Sequence, residues 1–262
     1  MGNWIVSIVP KGGIRLTTGT HFHLDEGPDY VYLSLYRVAA DRRQIDVVRN
    51  REGTAGIESG DGVVNWSPID DNLAQMSVRY HIIEEEAAIE ATFEVHPQRD
   101  YSKYELFISS YFTPYHTPRF AVADTRVDPD GPVRWYESRW YSEYNVEAWP
   151  RDAASRVTFS DGRWSTSPSQ NWVMGPDYAL PLMTQRHCHA GAVVLMARPE
   201  DCIGLSGYNS FHNSQYVHLF GRDVKAGDLL TSTVRMEVVG NDDLDLDTLE
   251  DLAVARYHAW VE

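Results

Sequence analysis

The sequence predicts an all-β fold, a large two-sheet antiparallel β-sandwich with one C-terminal helix. About twelve short segments alternate apolar and polar residues between turn residues, which is typical of strands that bury one face. Only residues 246–260 place apolar side chains at helical spacing. No blade-length period repeats along the chain, which favours a sandwich over a propeller.

Five strands are expected in the first quarter of the chain. Each is bounded by glycine, proline or acidic loop residues, which are strong local breaks in regular structure. They cover residues 4–9, 14–24, 30–38, 44–49 and 62–66, and a glycine-rich loop at 53–62 separates the last two.

The central block has the clearest alternation. Apolar and polar residues alternate through residues 76–95, and residues 104–112 form a third, more apolar run. Because a period of two points successive side chains to opposite faces, we expect three consecutive strands with one face in the core. They end in a loop at 113–119 whose polar side chains include Tyr115, His116 and Arg119.

The second half is less regular. Residues 135–149 have neither a strand nor a helix period, and residues 156–165 predict a small hairpin around Asp161-Gly162. Asp247-Thr248-Leu249-Glu250 fits a capping box at the start of the final helix. Further strands are expected at 180–187, 192–197, 202–205, 216–220 and 229–239.

Length and composition bound the class of protein. With 262 residues, 43% hydrophobic content and no linker, we expect a single β-sandwich domain over residues 1–262. A net charge of −15 argues against nucleic acid and anionic membranes as partners. No long apolar run or signal-like N-terminus is visible, which predicts a cytoplasmic protein. Free thiols at Cys188 and Cys202 are favoured over one disulfide bond.

Two His-x-His pairs suggest one kind of site. On a strand, residues two apart point to one face and can present two imidazoles to a metal. His21 and His23, with Glu26, are the predicted ligands of a divalent metal, while His187 and His189 form the second pair. The alternative is histidines that are hydrogen-bonded at strand ends. No nucleotide-binding motif is present, so no other cofactor is predicted.

Histidines near strand ends suggest acid/base chemistry. Histidine exchanges protons near neutral pH, and a loop that also offers Tyr115 and Arg119 suits a hydroxylated or carboxylated ligand. The alternative is that Pro114 and Pro118 set a turn and His116 is solvated. The predicted catalytic residues are His116, His96, Arg119, Tyr115, His187 and His189.

An aromatic cluster suggests how a sugar is held. The stretch 135–149 mixes rings with charged residues, and ring faces stack on the C–H faces of sugars. A core or a subunit contact is the alternative, although interleaved charges disfavour a core. The predicted substrate-binding residues are Trp135, Trp140, Tyr141, Trp149, Arg139 and His212.

Three segments resemble the galactose mutarotase-like β-supersandwich superfamily. They are His96-Pro97, residues 107–114 and residues 220–228. The resemblance implies a concave, sugar-facing sheet on which histidine and a carboxylate transfer protons at or beside the anomeric carbon. It makes His96 and His116 the nearest counterparts of the family's histidines.

These patterns favour a carbohydrate-active enzyme of the epimerase, mutarotase or lyase type. Its ligand would be a small molecule or an oligosaccharide, bound against aromatic side chains. Two alternatives stay open: a noncatalytic carbohydrate-binding β-sandwich, and a metal-dependent β-sandwich enzyme with paired His-x-His ligands. The oligomeric state is not predicted.

Overall fold

The structure of the protein is a computed structural model. It describes residues 4–9, 13–18, 30–112, 116–123, 133–138, 145–167, 169–187, 192–209, 213–239 and 245–262.

The chain folds into strands that form two large sheets. In the first half the strands are β1 (Trp4–Val9), β2 (Gly13–Thr18), β3 (Tyr30–Ala40), β4 (Arg43–Asp46), β5 (Thr54–Glu58), β6 (Asp61–Trp66), β7 (Ala74–Ile83), β8 (Ala88–Pro97), β9 (Tyr101–Phe112) and β10 (His116–Val122). In the second half they are β11 (Arg134–Glu137), β12 (Asn145–Pro150), β13 (Asn171–Met174), β14 (Tyr178–His187), β15 (Ala192–Ala197), β16 (Cys202–Asn209), β17 (Asn213–Val224) and β18 (Leu230–Val239).

Each sheet has nine strands. The first sheet runs β1-β2-β3-β9-β17-β16-β12-β13, with β4 paired to β3, and the second runs β11-β10-β14-β15-β18-β8-β7-β6-β5. Every pairing is antiparallel except the parallel pair β12–β13. The predicted two-sheet sandwich is therefore confirmed.

One hydrophobic core lies between the sheets. Alternate residues of the central strands of both sheets meet there, including Ile108 and Val217 from the first sheet and Phe93 and Val234 from the second. Burying each such side chain contributes about 1.5–3 kcal/mol, so period-two alternation largely fixes which face of each strand points inward. The opposite face of each sheet is called its outer face below.

The predicted C-terminal helix is also confirmed. Helix α2 (Leu246–Val261) packs Leu249, Ala253 and Tyr257 on the outer face of the second sheet. It begins two residues earlier than the predicted capping box, because the side chain of Asp245 accepts a hydrogen bond from the Thr248 N–H at 2.7 Å. Within the described parts of the chain, no helix is both long enough and apolar enough to cross a bilayer.

Two local predictions are wrong. The expected hairpin at 156–165 is instead helix α1 (Ala153–Phe159), because Asp152 caps the Ser155 N–H at 2.7 Å and starts a helix. The glycine-rich segment 53–62, expected as a loop, contains β5 and the start of β6 around a tight turn at Ser59-Gly60. In both places local capping or turn chemistry outweighs the hydrophobic pattern.

Candidate functional site

A row of hydroxyl groups crosses the middle of the first sheet. Ser34 on β3 lies opposite Ser109 on β9, Ser109 lies opposite Tyr216 on β17, and Tyr216 lies opposite Ser206 on β16. The residues that alternate with them, such as Ile108 and Val217, belong to the inter-sheet core. The four hydroxyl-bearing side chains are therefore on the outer face, and we call them the hydroxyl row.

The hydroxyl row is enclosed although it lies outside the core. Its four side chains are all buried, and Ser34 Oγ lies 3.1 Å from Ser109 Oγ. The backbone register continues towards the strand ends with Tyr111 opposite Ser214 and Ser214 opposite Tyr208. Small polar residues on central strands bring little bulk to a sheet face, so they suit a face that receives a polar ligand.

Aromatic rings cover one side of the row. Phe107 stacks on Tyr216 with ring centroids 4.7 Å apart, and Trp164 lies 5.1 Å from Phe107. Tyr36 lies 5.5 Å from Phe107 and carries the Arg49 guanidinium 4.3 Å above its ring. These rings form a compact layer on the outer face.

A buried histidine links the row to two charged side chains. His218 Nδ1 lies 2.7 Å from Glu105 Oε1, and His218 Nε2 lies 2.8 Å from Ser206 Oγ. All three residues have no exposed surface. Burial lowers the pKa of His218 below its ordinary value, although the neighbouring Glu105 carboxylate acts in the opposite direction.

Arg163 balances the charge of Glu105. Its Nη1 donates to Glu105 Oε2 at 2.9 Å and to the Lys103 carbonyl oxygen at 2.7 Å. Its Nε and Nη2 donate to the Asp161 carboxylate at 3.0 and 2.8 Å. A buried carboxylate that accepts a hydrogen bond from a buried guanidinium avoids the cost of an isolated charge.

The structure brings two predicted catalytic residues together. His116, at the start of β10, is the backbone register partner of His187, at the end of β14. The first sheet contacts these strands through Gln215, whose Nε2 donates to the Thr184 carbonyl oxygen at 2.9 Å and approaches that of Arg119 at 3.4 Å. The Arg119 and Thr184 part of β10 and β14 therefore faces the inner side of β17 at Gln215, whereas the Tyr216 side chain is on the outer face of that strand.

Other predicted site residues lie outside the described residues. Three of them lie in the sequence between described strands. Tyr115 lies between β9 and β10, His189 between β14 and β15, and His212 between β16 and β17. The remaining ones are Trp140, Tyr141, Arg139, His21, His23 and Glu26.

Arg119 and His96 are held apart from the hydroxyl row. Arg119 Nη1 forms an ion pair with Glu250 Oε1 at 2.8 Å, which joins β10 to α2. His96 is exposed on β8, opposite Gln75. Both positions belong to the second sheet, as do His116 and His187, whereas the hydroxyl row belongs to the first.

The two described tryptophans of the aromatic cluster are packing residues. Trp149 is fully buried, and its ring stacks on Phe120 with centroids 3.9 Å apart. Trp135 packs with the residues under α2. A sugar cannot stack on Trp149 in this position, because both sheets enclose the ring.

Sequence reasoning missed Glu105, Ser206 and Arg163. One signal was available: Glu105 interrupts an apolar run, and a charge at a buried strand position needs a partner. The identity of the partner was not available, because His218 and Arg163 are 113 and 58 residues away.

Two chemical features of the described residues bear on metal and thiol chemistry. They contain no group of three or more His, Cys, Asp or Glu side chains arranged to hold a metal ion. Cys202 is a free, buried thiol, and burial raises its pKa to about 12, so it is not nucleophilic at neutral pH.

Solved structures share this architecture at low sequence identity. The α-N-acetylgalactosaminidase NagBb from Bifidobacterium bifidum, in complex with GalNAc, superposes with a TM-score of 0.54 and 10% identity over 98% of this chain and 38% of that chain. Slr1438 from Synechocystis sp. PCC 6803 superposes with a TM-score of 0.52 and 7% sequence identity. The match covers 92% of this chain and 97% of that chain. A galactose mutarotase-like protein from Lactobacillus casei ATCC 334 superposes with a TM-score of 0.50 and 8% sequence identity. The match covers 90% of this chain and 97% of that chain.

These likenesses establish the fold. The chain has the galactose mutarotase-like fold, as the sequence resemblance predicted. It spans only 38% of the length of NagBb, so the likeness to that enzyme concerns one part of a longer chain. No protein-family model matches the sequence, and no curated protein sequence matches it.

Proposed function

We propose that this chain, which has the galactose mutarotase-like fold, is a carbohydrate-active enzyme of the epimerase, mutarotase or lyase type. The observation that carries the proposal is the hydroxyl row of Ser34, Ser109, Tyr216 and Ser206. Hydroxyl groups donate and accept hydrogen bonds without a fixed charge, which matches the hydroxyls of a neutral sugar. The adjoining aromatic layer supplies apolar ring surface beside them.

Histidine chemistry on the second sheet is the second part of the proposal. Two histidines can divide the roles of acid and base near neutral pH, and His116 and His187 share one register position. Gln215 of the first sheet contacts Thr184 and Arg119. Each of these two residues lies three residues from the histidine pair, which is about 10 Å along a strand. Tyr115, His189 and His212 fall in connections that adjoin these strands, and they are proposed to complete the site with Arg139, Trp140 and Tyr141.

A binding experiment tests the location of the site. Ser109→Leu replaces a hydroxyl in the middle of the row with a bulky apolar group. Thr92→Val is the matched control, because Thr92 Oγ1 lies 3.0 Å from Thr233 Oγ1 in a similar cross-strand hydroxyl pair on the second sheet. Saturation-transfer NMR with a panel of monosaccharides should show binding to the wild type and the control, and at least a tenfold loss in Ser109→Leu. Equal binding by both variants would exclude the row.

Turnover separates the enzyme from the binding alternative. His116→Gln and His187→Gln should retain sugar binding and lose catalysis by about 10²–10⁴-fold, the range of a well-placed acid or base. Binding by the wild type without any conversion of the sugars would instead support a noncatalytic carbohydrate-binding protein.

Elemental analysis tests the metal alternative. His21, His23 and Glu26 remain proposed ligands, with His187 and His189 as a second pair. Near-stoichiometric Zn, Mn, Fe or Ni that a chelator removes along with activity would support a metal-dependent enzyme. Trace metal with retained activity would exclude one.

A further inference from the structure

The second sheet ends at an exposed edge strand. Among the strands that the structure describes, β5 pairs only with β6, along one of its two sides. All five of its residues are exposed. An uncovered edge strand presents backbone N–H and C=O groups that can pair with a strand of another chain. This edge is therefore a candidate for contact with another polypeptide.

The hairpin register determines which backbone groups of β5 point outward. The turn between β5 and β6 is Ser59-Gly60, and both residues have positive φ, 53° and 95°. Glu58 lies opposite Asp61, and this pair, which closes a two-residue hairpin, is a hydrogen-bonded one. Because hydrogen-bonded and non-hydrogen-bonded pairs alternate along the ladder, Ala55 and Ile57 turn their backbone N–H and C=O groups away from β6.

The side chains of β5 do little to block pairing at this edge. Proteins often protect an edge strand with lysine, proline or a β-bulge. The strand contains neither lysine nor proline, and it pairs with β6 without a register shift. The charge of Glu58 is compensated within the same copy, because Arg79 Nη2 lies 2.9 Å from Glu58 Oε2. Ile57 adds an apolar side chain that is 67% exposed.

A glycine occupies the middle of the strand. A Cβ atom at Gly56 would meet nothing within 4 Å, so packing within one copy does not account for a glycine there. Glycine weakens the interior of a strand, and it often marks a place where another backbone approaches closely. Gly56 therefore points to a second backbone beside β5.

The positions of the outward-facing groups limit how two copies of β5 can pair. Hydrogen bonds form only if Ala55 or Ile57 lies opposite Ala55 or Ile57 of the second copy. Ala55 opposite Ala55 would set Glu58 against Glu52, two like charges. Ile57 opposite Ile57 would set Ala55 against Ser59 in the turn. Ala55 opposite Ile57 avoids both contacts and places every residue of β5 opposite a residue of β5.

We propose that β5 pairs antiparallel with β5 of a second copy of this chain, which joins the second sheets of the two copies into one. Ala55 lies opposite Ile57 on both sides of a twofold axis, and each pair exchanges both backbone hydrogen bonds. Ile57 packs on Ala55, and Gly56 meets Gly56 at the axis, where the backbones are closest. Because β5 is short, the contact is small and the dimer is weak and dependent on concentration.

Sedimentation velocity over a range of protein concentrations tests the dimer. The wild type should change from a monomer of 29.8 kDa towards twice that mass as the concentration rises. Ile57→Lys places a charge on the apolar pair and should raise the dissociation constant of the dimer by about tenfold or more. Val157→Lys is the matched control, because Val157 on helix α1 is 70% exposed and lies outside the proposed contact.

Disulfide trapping tests the register. Residues that face each other at a non-hydrogen-bonded position have Cα atoms about 4.5 Å apart, which a disulfide bond can span. Gly56→Cys treated with copper phenanthroline as oxidant should give a covalent dimer on a non-reducing gel, and peptide mapping should find position 56 linked to position 56. Val157→Cys should remain a single chain under the same conditions.

A wild type that stays monomeric at every concentration would overturn the proposal and leave the edge to a strand of a different protein. A dimer that Ile57→Lys does not weaken, or that Gly56→Cys does not trap, would also overturn it, because the interface would lie elsewhere. Circular dichroism checks that each variant is folded. None of these measurements involves a sugar, so their outcome is independent of the proposed function.

Discussion

At the scale of single residues, His218 shows how burial turns a titratable side chain into a neutral one. Its ring has no exposed surface and is hydrogen-bonded at both nitrogens. Desolvation disfavours the imidazolium and lowers the pKa of His218 in the folded state, while the unfolded chain has the ordinary value of about 6.5.

We therefore expect His218 to make folding pH-dependent. Between its folded and unfolded pKa values the unfolded state binds more protons, so its contribution to stability is fully present above about pH 6.5 and declines as the pH falls. The decline is at most about 1.4 kcal/mol per pH unit for one group. Urea unfolding from pH 7.5 to 5 checks this by comparing wild type with His218→Gln.

The variant isolates the histidine because Glu105 and Arg163 are present in both proteins. The free energy of unfolding of the wild type should fall faster than that of His218→Gln as the solution is acidified. Parallel curves for the two proteins would show that His218 is not neutralised by burial.

Prediction from sequence was also weakest at the residue scale. The histidines were recognised as proton carriers, but Glu105 and Ser206 were not assigned any role. Their partners come from distant segments, and a strand pattern reports which face a residue occupies rather than which side chain it meets.

At the scale of elements, helix α1 is determined by its cap. Burial opposes ionisation of Asp152, but the Ser155 N–H and Arg151 outweigh it and hold the pKa of Asp152 at about 2. Because this pKa is below the ordinary 3.8, the stabilising effect is present above about pH 4 and lost as the pH falls towards 2.

Asp152→Ala should lower the free energy of unfolding at pH 7 by about 0.5–2 kcal/mol, the usual cost of losing such a cap. Asp152→Asn keeps an oxygen acceptor and should lose only a few tenths of a kcal/mol. Denaturant titration of both variants checks the order. An Asn variant as unstable as the Ala variant would show that the charge, rather than the cap, matters.

Arg119 links two elements. Its ion pair with Glu250 is mostly buried between β10 and α2, so removing the cation leaves a carboxylate without its partner. We expect Arg119→Met to cost about 2 kcal/mol of stability and the Arg119→Met, Glu250→Gln double variant to regain part of it. A double-mutant cycle by urea unfolding measures the coupling, and strict additivity would contradict the pairing.

The elements were largely predictable, for a physical reason. Alternation identified β3, β7, β8, β9 and β18 because each buries one face of a pleated strand. It failed at α1, where the Asp161-Gly162 pair follows a helix instead of turning a hairpin. Asp-Gly permits a positive φ in either setting, so the pair alone does not choose between them.

At the scale of the whole molecule, the two sheets meet closely at Gly207. A Cβ atom there would lie 2.3 Å from Phe120 Cζ, and Phe120 in turn stacks on Trp149 between the sheets. We expect Gly207→Ala to cost about 1–3 kcal/mol, the range for overpacking a core.

Gly56→Ala is the matched control, because Gly56 also lies in a strand and a Cβ there would meet nothing within 4 Å. Thermal and urea unfolding of both variants should show a loss of stability for Gly207→Ala alone. Equal stability of the two variants would show that the sheets can separate at Gly207 without cost.

Strand order is the part of the fold that the sequence did not predict. The hydroxyl row depends on β3, β9, β17 and β16 being neighbours, although they are far apart in the chain. Local alternation carries no information on such pairings, so Ser34 and Ser109 appeared as ordinary strand residues, and Ser206 fell just beyond the strand predicted at 202–205. The resemblance to galactose mutarotase-like proteins predicted the kind of fold but not this strand order.

The most direct test of the proposed function is exchange NMR of sugar anomers with the wild-type protein. A panel of aldoses and uronic acids should include at least one sugar whose anomers interconvert faster than in buffer, or which is epimerised or cleaved, in proportion to protein concentration. Ser109→Leu should abolish the effect and Thr92→Val should retain it. Exchange at the buffer rate for every sugar, with a folded protein, would contradict the assignment of this chain as a carbohydrate-active enzyme.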